Sequence, residues 1–277
     1  MVYAPQALDL EHLERSLREW EAGFPRPVVD LSRLREVDAL GILLLALEGR
    51  RCVEVDGFLR LLVPENPNLA SMLTATALRD LVEGRIWSDR LLPPRATAPL
   101  IRIVRVREEG GVTELVDGLS EALLARFPFG EDSVRLLSGA MLEVFQNIPQ
   151  HAATASVSVD PYGLGAVRET ENYVEVAAVD KGVGLRGSLA SNPRFRDLTA
   201  LQAIEAALVR GSSRFDRRGR GGTLKRIREV VSRNEGRFYV RSGGAAFLQT
   251  EVEWETAEVF PFPGVQLSIR LPRRRFE

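Results

Sequence analysis

The stretch Asp132–His151, DSVRLLSGAMLEVFQNIPQH, sets the tightest condition on how this chain folds. Val134, Leu137, Met141, Val144 and Ile148 recur at spacings of three and four, the inward stripe of an amphipathic helix that needs a core to cover. Asp132 or Ser133 supplies its N-cap, and Pro149 ends the regular hydrogen bonding. Glu143, Asn147 and His151 fall at i, i+4 and i+8, which stacks a carboxylate, an amide and an imidazole along another face. A carboxylate suits general-base work and an amide oxygen suits a hard cation such as Mg²⁺. An ordinary solvated helix face has the same spacing, so the rest of the chain must decide.

Length bounds the answer next: 277 residues can bury one large core or two modest ones, and two is the better expectation. With 45% hydrophobic and 27% charged residues the chain is globular, and a net charge of −1 gives no electrostatic case for nucleic acid or an anionic membrane. Cys52 is alone, which excludes an intramolecular disulfide and a cysteine zinc cluster. His12 and His151 are too few for a histidine-rich metal site. The apolar run Gly41–Leu47 is too short for a bilayer, and the acidic start MVYAPQALDLEHLE lacks a signal-peptide core. The expectation is a cytoplasmic protein.

Along the chain, Leu8–Ala22 reads as a helix, stopped by Gly23 and Pro25. Pro27–Leu31 is a short buried strand, Val37–Val55 a helix with an almost continuous apolar half closed by Gly57, Leu59–Val63 a second strand, and Leu69–Leu81 a helix. Strands alternating with helices predict an open, largely parallel sheet. Pro93, Pro94 and Pro99 mark the boundary of this first domain. Beyond it, Leu100–Val106 reads as a strand, Thr113–Phe127 as a helix, and Ala155–Val159 and Asn172–Asp180 as strands joined by a hairpin connection. Leu198–Val209 and Leu224–Val231 are helices, and Arg237–Arg241, Ala246–Trp254 and Val265–Leu271 are closing strands. This order predicts a mixed sheet covered on one face by helices.

Two glycine clusters carry candidate chemistry. Asp180, followed by Gly182 and Gly184, ends a strand where the backbone can approach a ligand and a carboxylate can accept from an exocyclic amine. Gly182-Val-Gly184-Leu-Arg-Gly187 spells a dinucleotide fingerprint, but Ala190-Ser191-Asn192-Pro193 breaks the chain where that motif needs a helix. Gly219-Arg220-Gly221-Gly222-Thr223 precedes a helix, an arrangement that exposes backbone N–H groups to an anion. Arg214, Arg217, Arg218 and Arg220 add charge there or belong to a solvated loop.

Taken in order, Glu143…Asn147…His151, Asp180-x-Gly182-x-Gly184 and Gly219-x-Gly221-Gly222 before a helix resemble the N, G1 and G2 boxes of the GHKL ATPases. That family includes gyrase-type ATPases, heat-shock 90 chaperones, histidine kinases and anti-sigma serine kinases. The likeness covers residues 100–277 and implies a Bergerat-type α/β sandwich. It implies ATP and Mg²⁺ as ligands, with Asn147 on the metal and Glu143 orienting or deprotonating the attacking group. It further implies Asp180 on the adenine amine, Gly182 and Gly184 along the base, and Gly219, Gly221, Gly222 and Thr223 at the phosphates. Residues 185–218 would form a lid. Val265 stands where the family has a threonine.

Residues 1–92 resemble a STAS domain, an open sheet with helices, through Val28–Ser32, Val37-Asp38-Ala39-Leu40-Gly41 and Leu61–Val63 with Asn66-Pro67. Ala39 and Leu40 replace the hydroxyl residues of that family's phosphorylation switch, so this part is expected to dock a regulatory partner and not to accept phosphate. The combined resemblance implies an ATP-binding regulatory protein. Two alternatives stay open: an anti-sigma-like serine/threonine kinase acting on a protein partner, or a non-kinase ATP switch with slow hydrolysis. A homodimer also stays open, while nucleic acid and membrane are not expected as partners.

Overall fold

The computed structural model describes residues 2, 3, 5–23, 28–75, 85–89, 101–106, 113, 116–118, 120, 121, 124, 134, 135, 138, 139, 142, 163–212 and 222–272. The chain is mixed α/β and divides into two compact units, Met1–Ile103 and Val104–Glu277.

In the first unit, strands β1 (Val2–Tyr3), β3 (Val28–Asp30), β5 (Leu59–Leu62) and β6 (Ile86–Ser88) form a sheet of order β1-β3-β5-β6. Every pairing in it is parallel, as the alternation of strands and helices predicts. A separate parallel pair joins β2 (Ala7–Leu8) to β4 (Glu36–Val37). Helix α1 (Leu13–Gly23) buries Leu13, Leu17 and Trp20. Helix α2 (Ala39–Asp56) buries its first eleven residues entirely, and helix α3 is Pro67–Ala75.

Three readings of this unit need correction. The helix expected from Leu8 begins only at Leu13, because Leu8 is drawn into β2 and the Asp9 carboxylate accepts the His12 N–H at 3.0 Å, which caps the turn later. Strand β6 was not anticipated, since its three residues carry no alternation long enough to read. Helix α2 starts at Ala39 because Asp38 caps it: one carboxylate oxygen accepts from Gly41 N–H at 2.7 Å and the other from Leu10 N–H at 3.0 Å. Gly57 closes the helix in the left-handed region at φ 87°.

The second unit is built on a five-stranded sheet of order β10-β11-β9-β8-β7. Its strands are β7 (Ile101–Val106), β8 (Gly163–Glu169), β9 (Tyr173–Asp180), β10 (Arg237–Gln249) and β11 (Trp254–Pro272). The pairs β8–β9, β9–β11 and β10–β11 are antiparallel. Helices α4 (Gly184–Ala190), α5 (Ala200–Glu205, continued by a π turn at Ala206–Arg210) and α6 (Thr223–Arg233) follow β9. The core on the helical side gathers Val174, Val176 and Ala178 of β9, Phe238, Val240 and Phe247 of β10, and Leu267 and Ile269 of β11 against Ile204, Leu208, Ile227 and Val231. Val134 lies in this core too, as its place on the apolar stripe predicts. The described residues between 113 and 142 are helical, and the Ser120 and Ser138 hydroxyls meet at 2.7 Å.

Here the sequence misreads three features. The connection expected between Val159 and Asn172 contains a strand of its own, β8, while Ala155–Val159 lies outside the described residues. The three closing strands are two, because Gly243-Gly244 does not break β10 but forms a bulge in it, with Gly243 at φ 59°. The sheet is not covered on one face only. All of Val174–Asp180 is buried, so both faces of β9 are shielded.

Register across three strands is fixed by charge. Glu175 of β9 is buried and accepts from Arg270 of β11 at 3.0 and 2.5 Å and from Arg168 of β8 at 3.2 Å. A slip of one residue would carry Glu175 to the apolar face and leave it unpaired there. In the first unit, replacing Asp38 by Ala removes the side-chain acceptor of two backbone N–H groups at once. Asp38→Ala is expected to lower stability by about 1–3 kcal/mol, read as a lower urea midpoint with an unchanged slope.

Candidate functional site

Strand β9 ends at Asp180, and the chain turns at once through Lys181-Gly182-Val183 into α4. The Asp180 carboxylate folds back to accept the Gly182 N–H at 2.6 Å, and the Val265 backbone N–H on β11 also reaches it. Gly184 has φ 68°, a conformation that disfavours any side chain, and a Cβ there would stand 2.6 Å from the Ser242 hydroxyl. Gly264 has φ 79°, and a Cβ on it would stand 1.9 Å from the Asp180 carbonyl oxygen and 2.7 Å from its carboxylate. The close approach of β11 to the end of β9 therefore depends on a glycine at 264.

Ser242 of β10 ties the turn together. Its hydroxyl donates to the Gly264 carbonyl at 3.0 Å and accepts the Leu185 N–H at 2.8 Å. Sequence reading missed Ser242, because a lone serine before two glycines looks like turn composition and nothing else. The structure thus brings Asp180, Gly182 and Gly184 together with Ser242 and Gly264.

The carboxylate is held away from water. Burial raises the Asp180 carboxyl from its ordinary 3.8 to about 6, outweighing the Gly182 and Val265 N–H groups, which lower it. Among the described residues no cation pairs with it. A carboxylate has lone pairs beyond those that the Gly182 and Val265 N–H groups use, so it can accept from a further polar hydrogen.

The second cluster stands at the start of α6. Gly222 caps that helix at φ 76° with no side-chain cap, so the helix opens on backbone alone, and Thr223 is its first residue. Gly211, at φ 70°, ends the π turn that continues α5, and a Cβ on it would stand 3.1 Å from the Lys225 side chain and 3.4 Å from Gly222 Cα. Lys225 is one turn into α6 and was not singled out from the sequence. Glu143, Asn147, His151, Gly219 and Gly221 lie outside the described residues. So do Arg214, Arg217, Arg218 and Arg220. Among the described residues no three His, Cys, Asp or Glu side chains could hold a metal, and no helix is long and apolar enough to cross a membrane.

The dinucleotide fingerprint is settled by topology. A helix does open at Gly184, contrary to the sequence reading, but it is seven residues long, and β9 pairs antiparallel with both of its neighbours. The parallel crossover unit that such a fingerprint requires is missing at this strand. Of the expected lid, residues 185–212 are largely helical, with Ile204 and Leu208 fully buried in the core, and residues 213–218 lie outside the described residues. No protein-family model matches the chain, and no curated protein is significantly similar to it.

The buried acid has a signed consequence for stability. The folded state holds the Asp180 proton more tightly than the unfolded chain, so its contribution falls as pH rises from about 4 through 6. The loss is on the order of 3 kcal/mol. Asp180→Asn keeps an oxygen for Gly182 N–H and carries no charge. It is expected to be more stable than the parent at neutral pH and equal to it near pH 4, in urea unfolding at matched pH values. Parallel profiles for the two proteins would mean that the carboxylate is solvated.

Proposed function

We propose that the chain is a Mg–ATP-binding regulatory protein of the GHKL type, acting on a protein partner. The observation that carries this reading is Asp180: an acid buried at a strand end, unpaired by any described cation, and ringed by Gly182, Gly184 and Gly264. Burying such a group opposes folding, and sites that bind or react are where such costs are kept. An exocyclic amine is a further donor that the carboxylate can accept. Gly222 at the head of the eleven-residue α6 supports the phosphate half of the reading, since a helix N-terminus favours anions.

Mg²⁺ would be held by Asn147, and the attacking hydroxyl or water would be oriented by Glu143, on the sequence pattern alone. The partner either receives the γ-phosphate on a serine or threonine or is bound and released as nucleotide changes. The first unit serves as a docking module in both cases. Ala39 and Leu40 carry no hydroxyl and are buried at the start of α2, which leaves no acceptor there.

Nucleotide at about 100 times its dissociation constant is expected to stabilise the chain by roughly 2.7 kcal/mol. A thermal melt unmoved by millimolar ATP with Mg²⁺ would sink the reading. Asp180→Asn should lose most of the shift despite its higher intrinsic stability, so the two effects have opposite signs in one variant. Glu143→Ala should keep the shift but lose turnover or phosphotransfer by about 10²–10⁴-fold. Radiolabelled phosphate retained on a partner distinguishes the kinase from the switch.

A further inference from the structure

The β10–β11 ribbon runs past the rest of its sheet. β9 pairs with β11 only from Gln266 to Pro272, while β10 follows β11 out to the Gln249–Trp254 pair. Among the described residues, the outer half of β11 therefore has β10 along one edge and no strand along the other. Over Trp254–Val259 the described chain gives that edge no backbone partner. The two arms differ in exposure: Ala245, Ala246 and Phe247 of β10 are buried, whereas Trp254, Glu255, Ala257 and Glu258 of β11 are exposed.

Charge along this arm has one sign. Glu251, Glu253, Glu255 and Glu258 are all exposed, and no Lys or Arg occurs between Arg241 and Arg270. None of the four makes an ion pair among the described residues. Glu255 and Glu258 stand on opposite faces of the ribbon, since the register between them is regular. Charge on an open edge ordinarily discourages strand pairing, and it would repel the same edge of a second copy. That role does not account for the apolar groups beside the charges: Val252 at the tip is 92% exposed, and Trp254, stacked on Phe247 at 5.6 Å, is 47% exposed.

We propose that the edge Trp254–Val259 docks a basic, extended segment of a partner protein, which adds a strand to the ribbon. Backbone N–H and C=O groups of that edge supply the hydrogen bonds, as in other strand-addition complexes. Carboxylates on both faces select for Lys or Arg on the incoming strand, whichever way its alternation runs. Trp254 offers a ring face to an apolar or guanidinium side chain. This surface is independent of the nucleotide reading, and its test is run without nucleotide.

The probe is a synthetic peptide of about eight residues alternating Arg and Val, long enough to span the edge, titrated calorimetrically into the full chain. One-to-one saturable binding is expected. It should weaken at least about tenfold in the double variant Glu255→Lys/Glu258→Lys, and again between about 50 and 500 mM salt. Both substitutions are on exposed side chains, and circular dichroism checks that the fold is kept. The same peptide N-methylated along one edge should not bind, because it keeps the charge and loses the ladder. Undiminished binding of the N-methylated peptide would overturn the proposal in favour of bare electrostatics. Equal binding of a Glu–Val peptide, or no binding of the Arg–Val peptide, would overturn it as well. A dimer in sedimentation that the double variant abolishes would assign the edge to a second copy and also overturn it.

Discussion

The meeting of β9 and β11 at Asp180 is the contact on which the second unit depends. Two backbones come so close there that a single methyl group on Gly264 would stand 1.9 Å from the Asp180 carbonyl oxygen. That approach carries the Val265 N–H to the Asp180 carboxylate and sets Ser242 within reach of both Gly264 and Leu185. The start of α4, the bulge of β10 and the turn into the last third of β11 are thus positioned by one crowded spot. Crowding of this kind transmits displacement, because close-packed atoms have few ways to yield. A ligand that bonds the carboxylate therefore acts on three strands and a helix start together.

The described residues include two buried aspartates that end or precede elements, and their surroundings differ. Asp38 gives one oxygen to Gly41 N–H and the other to Leu10 N–H, so both oxygens are satisfied by backbone and the residue starts a helix. Asp180 also takes backbone N–H groups, yet burial still dominates and its carboxyl is pushed up to about 6. The first is a solved structural problem. The second remains unfavourable at neutral pH, because burial outweighs the two N–H groups that hold it.

Much of this was legible in the sequence, and the failures have physical causes. Periodicity located α2, α5, α6 and β9 within a few residues, because each is long enough for its apolar face to repeat. Leu8 was misread as helical because its own periodicity fits a helix; only the pairing with Val37 and the cap at Asp9 pull it out. Gly243-Gly244 read as a break, since sequence does not tell a bulge from a turn. Strand β8 escaped because Gly163, Gly165 and Ala166 have weak strand preference and are held by pairing to β9. At the site, Asp180 and its glycines announce themselves by spacing. Ser242 and Gly264 do not, as they reach the site only through the register of a hairpin whose arms meet far along the chain.

The same contact shows what residue 265 contributes to the turn. A valine there brings no hydroxyl to this strand. Val265 reaches Asp180 through its backbone N–H, which every residue but proline supplies. Its side chain instead packs, partly buried, against the core of the second unit. The hydroxyl found beside this turn belongs to Ser242 on the neighbouring strand, and it is spent on Gly264 and Leu185. The acid is thus held by backbone and shaped by glycines, so its environment depends on chain path more than on any one side chain. A turn built that way depends less on which side chain stands at 265 than on the absence of one at position 264.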